Sequence, residues 1–232
     1  MAFPVIDASQ TSTTSSNGTS HTVTLPTYSS GHLLIVGVAF DGVPTITWPS
    51  GWTAVISATA DGSSQVKTEV RYRVSDGSEG SSISITTSAS EQMAACALAV
   101  TGYDTTTPCV AGATFTDFGS DPEPPNSNPG SAADYKWIEG FGADDDDETA
   151  TYWSTSYTGI AQVESNTSST ESCQLCLAHR DLNASAQNPG GMHQGAEEEY
   201  VAFTFAIKPG AGAPGGSFSP VDPFGTMGIF GI

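Results

Sequence analysis

The chain has 232 residues, 38% hydrophobic and only 13% charged, and its 25 acids against 6 bases leave a formal net charge of −19. Nucleic-acid binding needs a basic stripe that neutralises phosphates, and the bases Lys67, Arg71, Arg73, Lys136, Arg180 and Lys208 cluster nowhere beyond the Arg71/Arg73 pair. The same charge argues against an anionic membrane surface, and no apolar run approaches the roughly 18 residues of a membrane-spanning helix.

The hydrophobic deficit is filled by Ser, Thr, Gly and Asp, which favour turns and exposed strand faces, and the length suits one large β domain, or one domain plus an appendage. Met1–Asp7 has neither a basic nor an apolar leader region, so no signal peptide is expected. An extracellular-type composition behind a cytosolic-type start fits a virion component assembled in the host cytoplasm; a leader already removed, or another export route, fits as well. Residues 1–20 are expected as an N-terminal arm, with the Ser/Thr/Asn tract Ser9–Ser20 a loop or a solvated edge.

The folded domain is predicted over 21–208. His21–Leu25 alternates and reads as a short half-buried strand, while Leu33–Phe40 is apolar throughout and reads as a central strand buried on both faces. Thr45–Trp48 and Thr53–Ser57 flank a Pro49-Ser50-Gly51 turn. In Val66–Val74, period two places Val66, Thr68, Val70, Tyr72 and Val74 on one face and Lys67, Glu69, Arg71 and Arg73 on a solvent face. Ser82–Thr87 and Met93–Val100 are further strands, the second in spite of its alanines. Asp117–Ala133 and Asp181–Glu198 are expected as long loops. Strands are predicted at Tyr135–Gly142, Thr149–Tyr157, Gly159–Glu164, Glu171–His179 and Tyr200–Ile207. Residues 209–232 form a Gly/Pro linker and a hydrophobic tail. The fold class is all-β: an antiparallel two-sheet β-sandwich of jelly-roll type, with an extended C-terminal tail.

Catalytic patterns are scarce. No Gly-x-Ser-x-Gly elbow is present, His21, His32, His179 and His193 sit in contexts that suit structural roles, and no paired carboxylates alternate along one strand. The expectation is therefore a protein that is not an enzyme. Cys173-Gln-Leu-Cys176 has CxxC spacing, yet residues three apart on a strand face opposite sides and cannot share a metal. Buried, reduced cysteines are expected, with a Cys96–Cys109 bridge left open. Asp144, Asp145, Asp146, Asp147 and Glu148 form the densest acidic cluster. Carboxylates suit Ca²⁺, but without spaced ligands a solvated β-turn explains the cluster better, so no cofactor is assigned beyond this weak Ca²⁺ candidate. Tyr152 and Trp153 are adjacent, so on a strand one ring must face outward, a hint of a glycan-stacking surface. In the tail, Phe218, Val221, Phe224, Met227, Ile229, Phe230 and Ile232 are candidate interaction residues, either folding back on the domain or docking into a neighbour.

Four segments carry a family likeness: Gly31–Gly42, Pro49–Thr53, Tyr72–Gly77 and Ala94–Tyr103. By strand order they resemble a broad group of tailed-phage virion proteins common among marine phages, and the Gly/Pro-rich C-terminus is similar more loosely. The resemblance carries no catalytic signature. It implies a jelly-roll capsid decoration or head-fibre subunit, or a piece of the tail, working as a homo-oligomer or against the major capsid protein or other virion proteins. A carbohydrate-binding adhesin and a filament-forming surface protein are the alternatives.

Overall fold

The computed structural model describes residues 2–144, 152–166 and 171–211, and the tail residues Phe218 to Ile232 and the acids Asp145 to Glu148 lie outside them. No helix occurs among the described residues. Among the described residues, eleven strands build two antiparallel sheets: β1 (Val5–Thr24), β2 (Leu33–Asp41), β3 (Ile46–Thr47), β4 (Thr53–Asp61), β5 (Gln65–Val74) and β6 (Ser82–Thr101), then β7 (Cys109–Gly119), β8 (Ala133–Asp144), β9 (Thr158–Glu164), β10 (Cys173–Ala184) and β11 (Glu198–Ile207). The first sheet runs β1-β6-β2-β5-β4, with β3 on β6, and the second runs β7-β11-β8-β10-β9. The expected sandwich is thus the observed one. Its connectivity is simpler than a jelly roll's interleaved Greek keys, because each half of the chain completes one sheet and the chain crosses over once, between β6 and β7.

Period-two patterning explains the layers. Leu33, Ile35 and Ala39 of β2 join Cys96 and Leu98 of β6 and Leu175, Leu177, Phe203 and Phe205 of the other sheet in the inter-sheet core. Leu34, Val36, Val38 and Phe40 point the other way and are equally buried, so β2 is apolar on both faces as predicted. Each fully buried side chain of this size contributes about 1.5–3 kcal/mol.

The outward face of β2 is covered by the chain's own long ribbon. β1 and β6 are each 20 residues long, well beyond an ordinary strand. Their register breaks between Thr14 and Ser20, and bulges of this kind bend a ribbon. Val23, Ile83 and Ile85 thereby enter the cluster of Leu34 and Phe40, and the ring of His21 meets Phe40 edge-on at 4.9 Å. The tract 9–20 is accordingly a solvated edge strand, not a free arm, and His21–Leu25 continues it. His21 is fully buried beside Thr87, and burial lowers its pKa.

Two other expectations change. The face of β5 that bears Glu69 is not open to solvent: Glu69 is buried under Trp48, whose Nε1 donates to Oε2 at 2.9 Å, and Arg71 adds an ion pair at 2.9 Å. An aromatic from the Pro-Ser-Gly turn region roofs this strand, while Val74, predicted inward, is exposed at the strand's end. Thr149–Tyr157 is not a strand over its described part, because Tyr157 N bonds Ser154 O at 3.0 Å and closes a turn.

Candidate functional site

The sandwich has two different poles. At one, Gly210 N bonds Gly102 O at 2.8 Å, Pro209 bridges Tyr103, and the backbone of Phe3 and Pro4 lies against Gly102, where a Cβ would sit 3.6 Å from both. Both ends of the described chain therefore leave the body side by side. The Tyr103 hydroxyl fastens this pole to Gly31 O at 2.6 Å.

At the far pole, β2 ends at Asp41, β7 at Gly119 and β8 at Asp144, and the β4–β5 turn meets the start of β11 through Ser63 N and Glu199 Oε1 at 3.2 Å. Asp144 is the one described member of the expected calcium cluster. It is largely buried and faces Asp41, whose carboxyl is pushed up to about 7, first by burial and then by Asp144, Glu91 and Glu171. Among the described residues, no group of three or more His, Cys, Asp or Glu side chains has the arrangement of a metal site.

Tyr152 and Trp153 part company. Tyr152 is 55% exposed and stacks on His193 with centroids 4.9 Å apart and planes within 8°. His193 N also bonds Tyr152 O at 3.2 Å, and His193 Nδ1 lies 2.7 Å from Asp121. Trp153 turns inward, against the Phe141/Met192 cluster on one side and the Trp137/Tyr157 cluster on the other. The expected pair of adjacent rings thus presents one face to solvent. Asp121 leads from His193 into an open groove of about 350 Å³ lined by Phe115, Asp117, Phe118, Glu123 and Tyr200. Sequence reading missed this groove because β7 was not recognised; the only signal was a pair of phenylalanines, Phe115 and Phe118, inside an acidic, turn-rich stretch.

A second polar feature lies beneath the 152–157 segment. Glu139 on β8 is fully buried and points away from the inter-sheet core, between its cross-strand neighbours Ala178 and Thr204. Ser154 N donates to its Oε1 at 3.3 Å, while Oε2 and the Thr204 hydroxyl have no hydrogen-bond partner. Burial pushes the Glu139 carboxyl up to about 7.

The cysteines behave as strand geometry requires. Cys173 faces the inter-sheet core and Cys176 the opposite face, and all four are free thiols, Cys96 and Cys109 included. Burial pushes the Cys96 and Cys173 thiols up to about 12. A reducing agent is therefore expected to leave the melting temperature unchanged, and a drop on reduction would contradict the free-thiol state.

The chain matches no protein-family model, no curated protein and no solved structure.

Proposed function

We propose that this chain is a non-enzymatic structural subunit of a virion, a capsid decoration or head-fibre protein. In this reading it is anchored at one pole and displays the other. The observation that carries the reading is the shared exit of both ends of the described chain beside Gly102 and Tyr103. Segments leaving one pole together can grip a single partner surface while the rigid sandwich stands clear of it. The apolar residues of 218–232 supply buried contact area for such a grip, and the strand order of Gly31–Tyr103 resembles tailed-phage virion proteins. The strongly negative charge favours solubility in a crowded, saline setting. For the alternative, a carbohydrate-binding adhesin, the Tyr152/Trp153 pair offers one exposed ring, Tyr152, since Trp153 is turned inward.

Deleting Pro220–Ile232 is expected to leave the β circular-dichroism spectrum intact and to cut co-sedimentation with purified particles by at least ~10-fold, the effect of losing about 1.4 kcal/mol of binding. Equal co-sedimentation of the truncated chain, or absence of the protein from particles by mass spectrometry, would sink the reading.

A further inference from the structure

We infer that the far-pole groove beside β7 is a docking surface for a lysine- or arginine-bearing segment of a partner protein. Three large aromatic side chains are exposed among the described residues: Phe115, Phe118 and Tyr152, at 40%, 47% and 55%. One exposed ring requires no explanation, but Phe115 and Phe118 both line this groove, while Tyr152 stacks on His193, which is bonded to the groove residue Asp121.

The rest of the lining decides the occupant. Asp117, Asp121, Glu123 and Glu197 supply four carboxylates, and no lysine or arginine lines the groove. Their field acts on the groove's own phenol: burial together with Asp117, Glu123 and Asp121 pushes the Tyr200 hydroxyl up to about 12. A guanidinium or ammonium group relieves that crowding and gains from the ring faces and the carboxylates together. A neutral sugar would satisfy hydroxyls but leave the like charges unneutralised.

A second copy of the chain is a poor source of the cation. Arg71 is paired with Glu69, Arg73 with Asp76 and Glu79, Lys136 with Asp181 and Lys208 with Asp104, while Lys67 bonds Ser57 and Thr59. Only Arg180 of the six bases has none of these engagements. Arg180, and Lys67 with hydroxyl partners alone, are thus two bases that a second copy could offer. That copy carries a formal net charge of −19 and would bring far more acid than base to an acidic groove, so the occupant is a different, basic chain.

The test uses labelled hexa-arginine as probe, followed by fluorescence anisotropy at physiological salt. Because an acidic protein attracts polycations everywhere, the decisive variant is Phe115→Ser/Phe118→Ser, which leaves the net charge unchanged. It is expected to weaken binding at least ~10-fold, as is Asp117→Asn/Glu123→Gln. Asp7→Asn/Asp134→Asn, which removes two charges near the opposite pole, should change affinity by no more than about twofold. Circular dichroism checks the fold of each, and Tyr152→Ala provides an independent weakening if the phenylalanine pair proves unstable. Unchanged binding by the folded aromatic variants would overturn the inference by showing diffuse attraction. Binding of cellohexaose in place of hexa-arginine would overturn it in favour of a glycan site.

Discussion

Gly142→Val is expected to destabilise the chain by at least about 3 kcal/mol, a fall of about 10 °C in melting temperature. Gly142 sits on β8, between Val201 of β11 and Leu175 of β10, with its missing side chain directed at the opposite sheet. A Cβ there would run into Thr68 Oγ1 and come within 2.9 Å of Ala39 Cβ. Both neighbours belong to strands paired on either side, Ala39 to β5 and β6 and Thr68 to β2 and β4, so neither withdraws without shifting a ladder. Close-packed interiors transmit such overlap instead of absorbing it. Gly191→Ala is the control, since nothing lies within 4 Å of its Cβ position. Equal melting temperatures for the two variants would show that the sheets do not approach as closely as described.

Glu139→Gln is expected to stabilise the chain above neutrality and to flatten its pH dependence. Glu139 has an ordinary value of 4.5 and is pushed up to about 7 by burial. Below pH 4.5 the folded and unfolded chains both hold this proton, so the residue costs nothing. Between 4.5 and 7 the folded chain keeps a proton that the unfolded chain has released, and stability falls as pH rises. Above 7 the ionised carboxylate is buried with one backbone donor and an unpartnered Oε2, a cost of about 3 kcal/mol. Glutamine keeps the shape and removes the charge. Denaturant titrations at pH 4 and pH 8 should therefore show the variant near wild type at the lower pH and more stable at the higher. Asp41, also pushed up to about 7 by burial and by Asp144, Glu91 and Glu171, leaves a residual slope of the same sign that Asp41→Asn should remove. A Gln variant less stable than wild type at pH 8 would mean that the charge is compensated.

Particular elements show how far sequence reasoning reaches. The run Leu33–Phe40 was legible on both faces, because a strand that is apolar at every position has no side for water. The opposed thiols of Cys173 and Cys176 were legible for the same local reason. β7 was not, since Val110-Ala-Gly-Ala-Thr-Phe-Thr-Asp-Phe118 has no clean alternation and its exposed pattern reflects an edge position. Glu69 was placed in solvent because alternation ranks the two faces of a strand without revealing that Trp48 would roof the charged one. Strand alternation required one ring of the Tyr152/Trp153 pair to face outward without saying which; a turn, not a strand, turns Trp153 inward and leaves Tyr152 exposed.

Residue order alone determined an all-β chain of short apolar runs, the two-faced central strand, the opposed cysteines, and the want of any basic surface. These follow from a two-residue side-chain period and from composition, both of which are local. Only the tertiary structure decided that both ends of the described chain leave one pole, that Glu139 is sealed under the 152–157 segment, and that Phe115 and Phe118 line one acidic groove. Each depends on partners far apart in the chain, such as Val5 with Thr101, Tyr103 with Pro209 and Tyr152 with His193. Pairing at that distance is set by how two whole sheets bury their faces against each other, and a single strand carries no mark of it.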